Sequence, residues 1–184
     1  MPHMRQRAKV VPFASGRVLE IGIGSGLNLQ YYEAGKISHL WGLDPSTEVW
    51  ALAQDRVQQA PFPVEFLPAS AESIPLDAAS ADTIVLTYSL CTIPDVAAAT
   101  AEMRRVLRPG GRLLFAEHGL APDTSVRKWQ HRVTPLWKKI GGGCHLNRDV
   151  PAIIRGGGFR ITSLDAMYLP GWRPATFNYW GMAE

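Results

Sequence analysis

Three glycines and two carboxylates in the first quarter of the chain form the clearest chemical pattern in the sequence. Glu20 is followed by Gly22, Gly24 and Gly26, where a predicted first strand turns towards a predicted helix. Glycines at such a turn let the backbone approach a ligand closely and accept positive φ angles. Asp44 ends the second predicted strand, and an acid about 20 residues after the first glycine can accept hydrogen bonds from ribose hydroxyls. The pattern therefore predicts a nucleoside site at the carboxyl edge of a parallel sheet. A glycine turn that binds no ligand is the alternative.

The spacing of the glycines separates two classes of nucleotide. A dinucleotide fingerprint requires its third glycine where Leu27 stands, and Gly26 comes one residue early. A pyrophosphate also favours an exposed helix N-terminus, whereas Glu20 places a negative charge beside the loop. That charge suits a sulfonium or an ammonium better than a diphosphate. The residues therefore favour S-adenosylmethionine over NAD.

Alternating strands and helices are predicted to position these residues. Strands are expected at 17–22, 38–43, 63–67, 81–88, 112–117, 159–167 and 176–183. Helices are expected at 27–35, 46–59, 95–107, 125–140 with an interruption near Pro135, and from Asp149 to the glycines at 156–158. This alternation is typical of an open, mostly parallel sheet with helices on both faces.

Composition excludes several classes of protein. The 184 residues fit one domain, and 46% hydrophobic with 19% charged residues exclude a disordered chain. No uncharged stretch approaches the roughly 20 residues of a membrane span, so we expect none. Two cysteines without a signal peptide favour a reducing compartment, and we expect a cytoplasmic protein. The spacing of histidines and cysteines offers no four-ligand metal site, and none is expected.

Four segments in order resemble the motifs of class I S-adenosylmethionine-dependent methyltransferases with a methyltransferase type 11 domain. They are 18–26, 42–46, 70–77 and 107–111, and the resemblance covers residues 17 to about 118. Ala81 departs from the pattern, since the family often has an aromatic residue there. The resemblance implies a single α/β domain over residues 1–184. Its sheet would be doubly wound, mostly parallel and seven-stranded, with an antiparallel final strand.

The resemblance also implies which residues bind the cofactor. Gly22, Gly24 and Gly26 would line its methionine portion, Glu20 would lie near its amino group, and Asp44 would hold the ribose. Ala71 and Glu72 would flank the adenine. Glu72 could equally be a surface acid, and Tyr88 could simply pack at a strand end. The remaining predicted cofactor residues are Ile23, Ser25, Asn28, Pro45, Thr87, Tyr88 and Ser89.

A narrower resemblance concerns the methyl acceptor. Segments 117–118, 129–130, 135–137 and 143–148 resemble the thiol S-methyltransferase group called methyltransferase-like seven, as does Cys91 after Leu90. The resemblance implies a thiol acceptor, with Cys91, Trp129, Trp137 and His145 on the acceptor side, although a core could absorb the tryptophans. Those relatives carry an N-terminal membrane anchor, which we do not expect here. Phospholipid or quinone-precursor methylation, and a silent module that binds cofactor or a partner, are the alternatives.

His118, after the fifth predicted strand, is the expected catalytic residue, as a base or as a group that orients the acceptor. A hydrogen-bonded structural histidine is the alternative, and the cysteines are expected to be buried thiols. Residues 119–148 would form an insert that covers the acceptor.

The charge is +4 over residues 1–17, −7 over 18–126 and +6 over 127–184. The basic ends could meet an anionic substrate or associate weakly with a membrane surface. Without an Asn/Asp-Pro-Pro-aromatic motif, we expect no nucleic-acid partner.

Overall fold

A seven-stranded sheet with strand order 3-2-1-4-5-7-6 runs through the centre of the molecule. The computed structural model describes residues 2–184. Strand β7 is antiparallel to both neighbours, β5 and β6, and the other pairings are parallel. This confirms the predicted sheet. The strands are β1 (Gly16–Ile21), β2 (Ile37–Leu43), β3 (Val64–Leu67), β4 (Ala81–Thr87), β5 (Leu107–His118), β6 (Ile161–Tyr168) and β7 (Phe177–Ala183).

Helices cover both faces of the sheet. They are α1 (Pro2–Val10), α2 (Thr47–Ala51), α3 (Gln54–Gln59), α4 (Val96–Val106), α5 (Thr124–Ile140), α6 (Val150–Gly156) and α7 (Arg173–Thr176). Side chains of Ser46, Asp95 and Asp149 cap the N-termini of α2, α4 and α6. Such caps accept hydrogen bonds from amides that have no partner within the helix.

The central strands are apolar on both sides because each side packs against its own layer. Ile84 and Leu86 of β4 join one core cluster with residues of α4 and α6. Val85, between them, joins a second cluster on the opposite face, which includes Val10 at the end of α1. Strands buried on both faces read as continuous apolar runs, which is why they were predictable from sequence.

Two predicted helices differ from the structure. The segment after the glycine loop, expected as a helix over 27–35, forms two 3₁₀ turns at Leu29–Tyr31 and Ala34–Lys36. Asn28 and Tyr32 both turn inward to hydrogen-bond Glu20, and Tyr32 is already extended. The helix expected over 46–59 is divided into α2 and α3.

Helix α5 continues through Pro135, where we expected an interruption. Its inward face buries Val126, Gln130 and Thr134 before the proline, and Trp137 after it is half-buried, so contacts with the rest of the protein hold the helix on both sides of Pro135. Among residues 2–184, no helix is long and apolar enough to cross a membrane.

Candidate active site

The loop after β1 is shaped by a glycine at a position where any side chain would be strained and would meet Ser89. Gly22 has a φ of 71°, and a Cβ there would lie 2.2 Å from Ser89 Oγ. The amides of Gly22 and Ile23 donate to the carbonyl of Leu43, at 2.7 and 3.1 Å. The loop is therefore held against the ends of β2 and β4, where parallel strands present their carboxyl ends.

Asp44, directly after β2, supports the same loop. Its Oδ2 accepts a hydrogen bond from the Gly24 amide, and its Oδ1 accepts one from the Ser46 amide, both at 2.9 Å. A carboxylate has about four acceptor sites, so each oxygen can still receive a further donor. The half-exposed carboxylate is thus oriented in advance and free to bind a pair of hydroxyls.

A cavity of about 600 Å³, here called the first cavity, opens between the ends of β1, β2 and β4. Ser70 donates to the Glu72 carboxylate on its wall, and the Asp95 amide donates to Glu72 Oε1 at 3.1 Å. Eight predicted cofactor residues line this cavity: Gly22, Gly24, Asp44, Pro45, Ala71, Glu72, Tyr88 and Ser89. The residues that sequence analysis did not name are Ile21, Leu43, Ser70, Thr92, Ile93 and Pro94.

Six predicted cofactor residues do not line the first cavity: Glu20, Ile23, Ser25, Gly26, Asn28 and Thr87. Ile23 is buried against Gly42, and the Ser25 carbonyl accepts a hydrogen bond from Arg56. Ile23, Ser25 and Gly26 therefore lie outside the wall of this cavity, and the cofactor contacts that the resemblance implies for them stay predictions. They shape the loop from behind.

Glu20, Asn28 and Thr87 form a buried network. Glu20 accepts hydrogen bonds from Asn28 Nδ2 at 2.9 Å and from the Tyr32 hydroxyl at 2.7 Å. Asn28 Nδ2 also donates to Thr87 Oγ1 at 2.9 Å. Arg7 of α1 completes the network, because its Nη1 donates to Asn28 Oδ1 at 2.8 Å and to Thr87 Oγ1 at 2.6 Å. Burial raises the pKa of Glu20 to about 7, although these donors and the Arg7 charge favour its ionised form.

A second cavity of about 450 Å³ adjoins the first, and Tyr88 lines both. Its walls are largely apolar, with the polar groups of His118, Cys144 and Arg7 among them. The full set of lining residues is His3, Met4, Arg7, Leu27, Tyr88, His118, Trp137, Cys144, Leu146 and Ala175. The N-terminal residues among them, all from α1, were not predicted. Their only sequence signal was a short basic segment.

Tyr88 forms the partition between the cavities in a strained backbone conformation. Its φ is 55°, which is uncommon for a bulky residue. The hydroxyl donates to Asn178 Oδ1 at 2.8 Å, the His3 ring packs edge-on with centroids 4.9 Å apart, and the Arg7 guanidinium lies 5.2 Å from the ring centre. Burial raises the pKa of Tyr88, so its hydroxyl remains a donor. Such strain persists only where surrounding contacts fix the residue.

The second cavity ends at a cluster of sulfur and nitrogen atoms. His118 Nε2 lies 3.3 Å from Cys144 Sγ, and Cys91 lies buried beside them. The Cys91 thiol and His118 lower the pKa of Cys144, whereas Cys144 and burial raise the pKa of Cys91. Next to His118, the carboxylate of Glu117 accepts from the amides of Ser89 and Leu90 at 2.8 and 3.1 Å. Burial raises the pKa of Glu117 to about 7.

The other predicted acceptor residues divide into two groups. Trp137 lines the second cavity, and His145 Nδ1 lies 2.9 Å from the Cys91 carbonyl without lining the cavity itself. Trp129 is 56% exposed and lines a separate groove with Trp172. The structure therefore does not bring Trp129 to the second cavity, because the inward face of α5 carries its neighbour Gln130.

Gln130, which sequence analysis did not single out, joins the two ends of residues 119–148 to each other and to α7. Its Oε1 accepts from the Ala121 amide at 2.9 Å, and its Nε2 lies within 3.0 Å of the carbonyls of Gly119, Leu146 and Pro174. The side chain is fully buried. A buried amide satisfied on both ends fixes the position of α5.

Comparison with known proteins agrees with this geometry. The family model described as a methyltransferase domain matches residues 19–115. Thiol S-methyltransferase TMT1B of Rattus norvegicus is 33% identical over 88% of this chain and 65% of its own length. The Homo sapiens protein of that name is 38% identical over 74% of this chain and 57% of its own length. The chain thus spans less than two thirds of both relatives.

A solved SAM-dependent methyltransferase of Methanosarcina mazei has the same fold. Its TM-score is 0.71 at 21% identity, and the match covers 91% of both chains. The family match covers the glycine loop, Asp44, Glu72 and Tyr88, which all line the first cavity. The chain therefore belongs to the methyltransferase domain family.

Proposed function

We propose that the protein methylates the thiol of a small, largely apolar molecule held in the second cavity. The observation that carries this proposal is the junction of the two cavities at Tyr88. One cavity has Asp44 and the glycine loop on its walls, and the other has apolar walls that end at sulfur and imidazole groups. Both relatives are named thiol S-methyltransferases, which supports a thiol acceptor, although this chain spans only part of their length.

The first cavity fits S-adenosylmethionine. When bound, this cofactor supplies a methyl group on a positively charged sulfur. Asp44 keeps acceptor sites on both oxygens for two hydroxyls, and Gly22 leaves room for a close approach of the backbone. The buried Glu20 carboxylate provides negative charge behind the loop. A charge-assisted hydrogen bond to Asp44 would contribute about 1.5–3 kcal/mol to binding.

The acceptor side needs little proton chemistry. A thiol with a pKa near 8.5 is already a few per cent thiolate at neutral pH, and holding the reactants in line supplies much of the rate. We propose that His118 orients the acceptor sulfur, since its ring lies on the wall of the second cavity. An amine or carbon acceptor, unlike a thiol, would require a base to remove its proton.

Residues 119–148 are proposed to close the second cavity. Trp137 and Cys144 bring two parts of this insert to the cavity wall, and Gln130 fixes the insert to the loops around it. Excluding water strengthens the electrostatic interactions between the bound groups. Loosening the insert should therefore lower turnover without weakening cofactor binding.

We further propose that the outer face of α5 binds an anionic membrane surface. Apolar acceptors dissolved in that membrane would then be close to the protein. Trp129, Leu136 and Ile140 share one side of the helix at spacings of a full number of turns, and they are 56%, 66% and 73% exposed. Trp172 is exposed beside them. The exposed basic residues that border this outer face are Lys128, Arg132 and Lys139. An apolar stripe bordered by cations is typical of interfacial helices.

The acceptor class can be tested with S-adenosylmethionine labelled in its methyl group. The acceptors would be 2-mercaptoethanol, an apolar alkyl thiol, ethanolamine, a phenol and phosphatidylethanolamine in vesicles. We expect label in the thioethers, with faster turnover of the apolar thiol. Label only in the amine, phenol or lipid would refute the thiol proposal. Cofactor binding without label in any acceptor would favour a silent binding module.

A further inference from the structure

Two cysteines and one histidine from separate segments meet at the end of the second cavity. Cys91 lies in the turn after β4, His118 ends β5, and Cys144 lies in the loop after α5. Cys91 Sγ, Cys144 Sγ and a ring nitrogen of His118 all lie within 4.8 Å of one another. The residues are distant in sequence, so the tertiary fold gathers them.

Contacts that do not involve the sulfur atoms hold this cluster together. The His145 amide donates to the Cys91 carbonyl at 2.9 Å, which ties the Cys144 loop to the Cys91 turn. Arg148 Nη2 donates to the Ile93 carbonyl at 2.6 Å, and Glu117 accepts from the Leu90 amide. The ligand atoms are therefore placed together before any ion binds, which lowers the ordering cost of binding.

We propose that Cys91, His118 and Cys144 form a zinc site whose fourth position is open to the second cavity. Thiolate and imidazole are the ligands that zinc prefers, and catalytic zinc sites keep three protein ligands and one exchangeable position. With zinc bonds of about 2.0–2.3 Å, ligand atoms of a tetrahedral site lie about 3.5–3.8 Å apart. The distance of 3.3 Å between Cys144 Sγ and His118 Nε2 is close to that spacing.

The burial of the three ligands indicates which side of the site is open. Cys91 is only 5% exposed, whereas His118 and Cys144 are half-buried and line the second cavity. A ligand in the fourth position would therefore reach the zinc from this cavity. The acceptor class rests on the proposed function: its thiol would coordinate the zinc through sulfur and release its proton to solvent, as coordinated thiols do. This would select thiols over alcohols of the same shape.

Cobalt(II), which occupies zinc sites and absorbs visible light, tests the site without measuring activity. The full-length protein is stripped of metal and titrated with Co²⁺, and then with Zn²⁺ in competition. We expect one equivalent, with a thiolate-to-cobalt charge-transfer band that Zn²⁺ abolishes. Cys144→Ser and His118→Gln should lower Zn²⁺ affinity about 100-fold or more, since even outer-shell changes cost about 10–100-fold.

The exposed His131, which pairs with Asn147 on the outside of α5, offers a matched control. His131→Gln should leave metal binding unchanged. Calorimetric titration with S-adenosylmethionine reports whether each variant is folded, because the three ligands do not line the first cavity. Absence of a charge-transfer band, or a band that survives in folded Cys144→Ser, would overturn the zinc site.

The open position is tested by adding 2-mercaptoethanol or ethylene glycol to the cobalt protein. We expect the thiol to intensify the charge-transfer band and the diol to leave it unchanged. A band insensitive to the thiol would overturn the open position. If metal-free protein methylates thiols as fast as zinc protein, the metal proposal fails and the proposed function stands. If zinc binds at the cluster and thiols are not methylated, the proposed function fails separately.

Discussion

Two carboxylates at neighbouring strand ends have different roles because their surroundings differ. Asp44 lies on the wall of the first cavity, with oxygens held by backbone amides and still able to accept. Glu20 is buried, and its hydrogen bonds go to Asn28 and Tyr32. The spacing from the glycines predicted Asp44 as a ribose acceptor, and the family resemblance implied that Glu20 lies near the amino group of the cofactor. Glu20 lies behind the loop because Asn28 and Tyr32, in the segment after it, turn inward to hydrogen-bond its carboxylate. That inward turn depends on tertiary contacts, which the sequence pattern does not contain.

Burial of Glu20 makes stability depend on pH in a defined direction. Its pKa is raised from 4.5 to about 7 in the folded protein. The folded state therefore binds more protons than the unfolded chain between these values. The stability that this proton contributes is complete below about pH 4.5 and is lost as pH rises through about 7. Relative to the unsubstituted protein, Glu20→Gln should gain up to about 3 kcal/mol of unfolding free energy as pH rises from about 5 to 9.

Denaturant unfolding of the two proteins over that pH range measures this difference. Glu33→Gln is the control, because Glu33 is exposed and pairs with Lys36 on the surface. Its curve should run parallel to that of the unsubstituted protein. Parallel curves for Glu20→Gln would show that Glu20 keeps an ordinary pKa when the protein folds.

At the scale of elements, sequence patterns predicted best where each element is determined by its own residues. The strands of the sheet and the capped helices α4 and α6 were predicted within about three residues, apart from the N-terminal extension of β5 to Leu107. Helix α1 was not predicted, because its nine residues carry no amphipathic pattern strong enough to define it. Buried contacts of Gln6, Arg7 and Val10 place it instead. The meeting of Cys91, His118 and Cys144 was missed for a similar reason, since spacing rules detect only ligands that are close in sequence.

Helix α1 should contribute to the acceptor side through one arginine. Arg7→Met removes the donor shared by Asn28 and Thr87 and should cost about 1–3 kcal/mol of stability. Because Arg7 also lines the second cavity, the KM for the acceptor should rise more than the KM for S-adenosylmethionine. Arg5→Met is the charge-matched control, as Arg5 is exposed on the same helix.

Thermal unfolding and steady-state kinetics of both arginine variants measure these effects. Equal destabilisation by Arg5→Met would mean that helix charge, and not the buried network, is responsible. An unchanged KM for the acceptor in Arg7→Met would show that Arg7 of α1 does not contribute to binding the acceptor.

For the molecule as a whole, substitutions can distinguish membrane binding by the outer face of α5 from nonspecific adsorption of exposed apolar residues. Leu136→Ser and Ile140→Ser should each weaken binding to phosphatidylserine vesicles about tenfold or more, since burying such a side chain contributes about 1.5–3 kcal/mol. Leu52→Ser is the control, because Leu52 is 68% exposed between α2 and α3, away from α5. Co-sedimentation with vesicles measures binding. Equal loss in all three variants, or no binding by the unsubstituted protein, would refute the membrane face.

The first cavity is proposed to hold the cofactor, and the adjoining second cavity is proposed to hold a thiol. Steady-state methylation of an apolar alkyl thiol by Asp44→Asn and Trp137→Ala tests this directly. We expect Asp44→Asn to raise the KM for S-adenosylmethionine about 10- to 100-fold, from the loss of charge-assisted hydrogen bonds, with the thiol KM within about twofold. Trp137→Ala should raise the thiol KM and leave the cofactor KM unchanged. If both substitutions alter the same KM, or if no thioether forms, the two cavities do not bind cofactor and thiol separately.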